Sequence, residues 1–153
     1  MELEGGLHPR RPISVEPLEV YERRGDGHTV SRHCGTGPAV EAERLAEHPW
    51  LEATGAFPDV LTAQRCVEAC VAAHRTEVER WRRGARARLA ISVDLHEVVG
   101  DELRRCRWEA GEPPQPATAV RVVLKRDSAY RSGFAVLTAY PVTVAADAYP
   151  RHS

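Results

Sequence analysis

Hydrophobic and polar positions follow two different rhythms along this chain. Between Thr62 and Arg83 the apolar positions Val67, Val71, Val78 and Trp81, with His74 among them, recur at steps of three and four. That is the buried stripe of one long helix, capped by Thr62 and stopped at Gly84. Arg75 with Glu79, and Glu79 with Arg83, fall as exposed i,i+4 pairs on its other side. Upstream, Asp26-Gly27 makes a turn, and Asp26 is placed to cap a short helix from His28 to His33. Pro38 opens another helix to about His48, with Val40, Leu45 and Trp50 expected to face inward. Leu18 to Arg24 reads as a short strand or extended entry, and Leu51 to Leu61 as a loop.

From Leu89 the period becomes two. Leu89, Ile91 and Val93 share one face of a strand, as do Val120, Val122 and Leu124. Gly100 breaks a mixed stretch from Leu95 to Trp108. Glu112 to Pro116 is a proline-rich loop that cannot enter a central strand. Asp127 to Gly133 turns the chain into a last strand, Phe134 to Tyr140, which Pro141 is expected to limit. Helices first and an antiparallel meander afterwards predict an α+β fold. The expected organisation is an arm over 1–17, one domain over 18–145 and a tail over 146–153.

Composition agrees with one domain: 153 residues, 42% hydrophobic, enough for a single core. No apolar run approaches the roughly 18 residues that span a bilayer, and the polar N-terminus lacks the apolar segment of a signal peptide. The net charge of −1 hides an asymmetry. Residues 1–61 hold 6 Arg against 11 Asp and Glu, and residues 62–153 hold 15 Arg and Lys against 11. All basic residues except Lys125 are Arg, the side chain whose planar fork suits phosphate, a bias that GC-rich coding also produces.

Four cysteines are too few for a disulfide scaffold in a chain of this length. Cys66, Cys70 and His74 would stack on one helix face as a conceivable metal half-site. Thiols on a buried stripe give the same pattern, and structural zinc usually takes closely spaced pairs from loops. His96-Glu97 begins like a zinc-protease motif, but Gly100 stands where the second His must be. No metal or other cofactor is expected.

Two groups could do chemistry. A helix over Gly27–His33 places His28 and Arg32 on one face, an imidazole that titrates near neutrality beside a phosphate-binding guanidinium. In the last strand Thr138 and Tyr140 share a face, about 7 Å apart by strand rise. Taken singly, each has an ordinary structural explanation: solvated charges on a helix, and hydroxyl residues favoured in strands.

Together, Gly27-His28-Thr29-Val30-Ser31-Arg32-His33, a phenylalanine loop at Ala56-Phe57-Pro58-Asp59, Arg121–Arg126 and Val136–Pro141 resemble a known family. It is the ribonuclease A-like toxin domain found at the C-termini of bacterial contact-dependent inhibition and other polymorphic toxins. The resemblance runs from about Leu18 to Val142. It implies a kidney-shaped α+β fold and a metal-independent endoribonuclease toxin acting on RNA, such as tRNA, in the cytoplasm of a target cell. By motif, the catalytic roles fall on His28, Arg32, Thr138 and Tyr140. Arg121 and Lys125 are further basic candidates at the substrate, and His33 is a candidate acid or substrate contact, with a structural or solvated histidine as the alternative. The chemistry implied is removal of the ribose 2′-hydroxyl proton by His28, attack on phosphorus and a 2′,3′-cyclic phosphate product. Neither DNA nor a membrane is expected as a partner, whereas a cognate immunity protein is. Two stretches depart from the family pattern: Cys34-Gly35-Thr36 after the Arg-His pair, and Ala53-Thr54-Gly55-Ala56 before Phe57. The competing expectation is a non-catalytic module that binds RNA or protein on the same fold.

Overall fold

A computed structural model describes residues 13–143. The tail expected over 146–153 and most of the arm lie outside the described residues. Residues 13–17 lie on the core: Ile13 and Val15 pack against it, and the Gln64 amide donates to the Glu16 carbonyl at 3.0 Å.

The fold is α+β, with six helices and six strands among the described residues. Helix α1, Leu18–Arg23, replaces the expected extended entry. Leu18 and Tyr21 are both 1% exposed, a three-residue spacing that only a helix turns to one side. Helix α2, Thr29–His33, is not capped by Asp26. The Glu22 carboxylate reaches across from α1 and accepts from Val30 N at 2.5 Å and Ser31 N at 3.0 Å. Asp26 instead accepts from the Tyr130 hydroxyl at 2.6 Å and pairs with Lys125 at 3.2 Å.

Helix α3 spans Pro38–Glu47 after Gly37. Its inward residues are Leu45 and, unexpectedly, Glu41, while Val40 and Trp50 stand 42% and 65% exposed. Strand β1, Ala53–Ala56, lies inside the expected loop. The expected long helix is two: α4, Val60–Ala73, and α5, Arg75–Arg82, parted at His74. The cap is Asp59, whose side chain accepts from Thr62 N, three residues earlier than expected.

Strands β2 (Arg88–Asp94), β3 (Gly100–Arg104), β4 (Gln115–Ala117), β5 (Ala119–Arg126) and β6 (Phe134–Val142) are antiparallel to their partners, with the short helix α6, Arg105–Glu109, after β3. They form no single meander. One sheet has the order β2-β5-β6 and the other β1-β3-β4. Pro116 sits in β4 at the edge of the second sheet, where its missing N–H is tolerated. Pro141 does not end β6, which pairs on to Val142.

The core lies between α4 and the first sheet. Val67, Val71, Val120, Val122 and Leu124 are essentially inaccessible, and each contributes about 1.5–3 kcal/mol by leaving water. Cys66 and Cys70 belong to this core, and burial pushes their thiols up to about 11 and about 12. His74 turns Nε2 to the Ser92 carbonyl oxygen at 2.7 Å and Nδ1 to Glu77 at 3.2 Å. Among the described residues no cluster of three His, Cys, Asp or Glu is placed to hold a metal. Nor is any described helix long and apolar enough to cross a membrane.

Candidate active site

A register shift in β6 builds one wall of a cleft. Thr138 pairs with Val123 while Val136 pairs with Leu124, so Leu137 is the extra residue. The carbonyl oxygen of Leu137 accepts the His28 N–H at 3.1 Å. Gly27 lets α2 approach this closely, since a Cβ there would lie 2.5 Å from the Val136 carbonyl oxygen. The turn before α2 is thereby fastened to the strand that carries Thr138 and Tyr140.

The cleft has a volume of about 410 Å³ and is lined by His28, Arg32, His33, Arg44, Thr138 and Tyr140, with Trp50 and Arg88 also on its walls. Five residues expected from the sequence thus share one cavity. Of the remaining two, Arg121 is 3% exposed and stands opposite Tyr140 in the ladder. It hydrogen-bonds the phenol and does not line the cleft. Lys125 is also off the cleft wall and held by Asp26.

The two histidines differ. The ring of His33 is 5% exposed, and its Nδ1 lies 2.8 Å from the Gly55 carbonyl oxygen. A carbonyl can only accept, so Nδ1 carries the proton and Nε2 keeps its lone pair. Arg44 Nη1 stands 3.5 Å from the same Nδ1. With that nitrogen already protonated, Arg44 acts there as a neighbouring positive charge. The His33 ring centroid is 5.4 Å from that of Tyr140 and 6.4 Å from that of His28.

Burial first, then the Arg44 charge, pushes the His33 imidazole down to about 3, against the bond to Gly55. His28 falls to about 4 through burial, then the charges of Arg32 and Arg44. Both are neutral at physiological pH. Guanidinium groups that oppose a third positive charge mark a site complementary to an anion.

Arg44 is the main residue the sequence left unmarked. It comes from α3, donates to the Thr54 hydroxyl at 2.8 Å, and that hydroxyl donates to buried Glu41 at 2.5 Å. Thr36 also donates to Glu41. The buried carboxylate therefore has two hydroxyl partners, and Thr54 links it to Arg44. The available signal was Glu41 and Arg44 at i,i+3, a pair indistinguishable in sequence from ordinary surface charges. On the opposite wall the Thr138 hydroxyl is buried with no hydrogen-bond partner among the described residues. Burial raises the Tyr140 phenol above its ordinary value, against the lowering effect of Arg121, and so keeps it protonated.

The cleft therefore combines an imidazole locked as a proton acceptor, hydroxyl donors on the facing strand, and three guanidinium groups. That donor set can bind a phosphodiester and remove a proton from a neighbouring hydroxyl. Comparison with known proteins gives the following. A family model described as "Bacterial CdiA-CT RNAse A domain" matches residues 27–141. The solved structure of a CdiA-CT/CdiI complex from Y. kristensenii 33638 is similar over 76% of this chain and 99% of that chain, with a TM-score of 0.67 and 21% identity. A search of curated proteins returned no match.

Proposed function

The chain belongs to the bacterial CdiA-CT RNAse A domain family, a family of ribonuclease toxin domains, and from that premise we propose how its cleft cuts RNA. The observation that carries the proposal is the meeting of the segment His28 to His33, the N-cap and body of α2, with the Thr138–Tyr140 stretch of β6 in one cleft rich in positive charge.

His33 is the base. Its locked tautomer leaves Nε2 to take the proton of a ribose 2′-hydroxyl, whose oxygen attacks the adjacent phosphorus. The motif resemblance gave this role to His28. The hydrogen bond to Gly55 favours His33, and among the described residues no such bond fixes a tautomer in His28. Arg44 and Arg32 stabilise charge growing on the non-bridging oxygens, joined by the unpartnered Thr138 hydroxyl. His28 contacts the same phosphate.

The phosphorus–5′-oxygen bond breaks as the Tyr140 hydroxyl gives its proton to the departing oxygen. Arg121, hydrogen-bonded to that phenol, offsets the charge left on it. The proton held by His33 then passes through solvent to reset Tyr140. The product ends in a 2′,3′-cyclic phosphate, no metal takes part, and the 2′-hydroxyl confines the reaction to RNA. By analogy with the complex to which the fold is similar, a cognate immunity protein binds this chain. Its site of action is the cytoplasm of a target cell, where tRNA is an abundant substrate.

The test is cleavage of total tRNA by the purified protein in excess EDTA, with product ends read by mass spectrometry. Cyclic phosphate ends, and their loss in His33→Ala, are expected. Cleavage by His33→Ala at the wild-type rate, or a requirement for metal, would overturn the mechanism.

A further inference from the structure

The turn that follows α3 carries a large apolar side chain held out of the core. Trp50 is 65% exposed and lines the same cleft as His33 and Tyr140. Its backbone is pinned. Leu51 N donates to the His48 carbonyl oxygen at 3.0 Å. Arg105, the first residue of α6, donates to the carbonyl oxygens of Leu45, His48 and Leu51 at 2.8, 2.9 and 2.7 Å. The indole is also steadied, because the His48 ring meets it edge-on at a centroid distance of 4.9 Å.

An exposed indole forgoes the stabilisation that burying its large apolar area would give. Here the ring stands at the mouth of a phosphate-binding cleft on a turn clamped by three hydrogen bonds. Single-stranded RNA presents unstacked bases, and proteins take them up on aromatic faces set beside positive charge. Arg32 and Arg88 supply that charge on the same cleft.

We propose that Trp50 is the stacking platform for a nucleobase beside the scissile phosphate, and so a specificity-determining residue of this ribonuclease. The inference rests on the cleft being the RNA-cleaving site. Stacking of this kind depends on the ring more than on base identity, so the platform selects unpaired nucleotides over duplex.

The experiment compares Trp50→Ala, Trp50→Leu and Trp50→Tyr with wild type on a single-stranded oligoribonucleotide, measuring KM and kcat separately. Loss of one stacked base raises KM about tenfold. Trp50→Ala and Trp50→Leu are expected to show that rise at nearly constant kcat, and Trp50→Tyr to recover most of it. An abasic nucleotide on one side of the cleavage point should cost wild type the same factor and cost Trp50→Ala nothing more. Unchanged KM in Trp50→Ala overturns the platform. So does a KM that Trp50→Leu restores as well as Trp50→Tyr. Unchanged KM together with weaker binding of the cognate immunity protein overturns it too, by assigning Trp50 to a protein interface. His33→Ala is run alongside. If it cuts like wild type, the underlying active-site reading fails; if it is inactive while Trp50→Ala is normal, only the platform fails.

Discussion

His33 Nδ1 lies 2.8 Å from the carbonyl oxygen of Gly55, and this one contact distinguishes His33 from His28, the histidine to which the motif resemblance gives the catalytic role. It fixes which nitrogen bears the proton and aims the ring. His33→Ala is therefore expected to lower kcat/KM by about 10²–10⁴, the usual worth of a positioned base. His28→Ala, which removes a phosphate contact, should cost about tenfold. Equal losses in the two variants, measured on one RNA, would contradict the assignment.

The pH profile follows from the same residue. A base works when deprotonated, and His33 protonates only near about 3. The acid limb of kcat/KM should accordingly lie well below 6.5, where an unperturbed imidazole would place it. Steady-state rates from pH 3.5 to 8 check this. A limb centred near 6.5 would show a base other than the buried ring.

Arg44 supplies much of the charge that opposes protonation of His33, after burial itself. In Arg44→Gln the acid limb should move upward toward 6.5, because a lost positive neighbour makes the imidazolium easier to form. The rate plateau should fall as well, by about 10²-fold, for want of charge at the phosphate. A variant that lost rate with no shift of the limb would place Arg44 away from the base.

Much of this cleft was legible in the sequence, because its two walls are local motifs. Gly27–His33 and Val136–Pro141 each keep their chemistry within seven residues, and hydrophobic period two gave β2, β5 and β6. What was not legible depends on contacts between distant segments. Ala53-Thr54-Gly55-Ala56 carries no alternating large side chains, and β1 exists through pairing with β3 and close packing of Gly55 under Pro141. Arg44 and Glu41 look like exposed helix charges until β1 brings Thr54 against them. Trp50 was expected inside on hydrophobicity alone, which cannot distinguish a core indole from one held at a cleft.

Folding stability should also carry the signature of His33. Its folded value of about 3 lies below the value near 6.5 of an unfolded chain. Between the two, the unfolded state binds a proton that the native state does not, so stability rises with pH across that window. One such proton is worth about 1.4 kcal/mol per pH unit. His28, lowered to about 4, adds a slope of the same sign, so His33→Gln should reduce the slope between pH 4 and 6 in denaturant titrations by His33's share and leave that of His28. An unchanged slope would mean that the ring takes up its proton in the folded protein.

Lys125 tests the boundary of the site. It bonds Asp26 at 3.2 Å, whose carboxyl lies below its ordinary value first through the Tyr130 hydroxyl and then through Lys125. The pair is partly exposed, so Lys125→Met should cost less than about 1 kcal/mol and leave kcat/KM within about threefold. A loss of a hundredfold in kcat/KM would put Lys125 back among the groups that contact RNA.

Gly27 tests whether the fastening of α2 to β6 sets the catalytic geometry. A Cβ at this position would lie 2.5 Å from the Val136 carbonyl oxygen and 3.2 Å from the Tyr21 Cβ, so Gly27→Ala must push the chain away from the strand. Overpacking of this kind costs about 1–3 kcal/mol, readable as a lower thermal midpoint. The displacement also carries His28 and His33 away from Thr138 and Tyr140. Small misplacements of reacting groups cost about 10²-fold, so kcat should fall well below wild type at temperatures where the variant is still fully folded. A variant with a lowered midpoint and unchanged kcat would mean that α2 and the strand hold their alignment through contacts other than the His28–Leu137 bond.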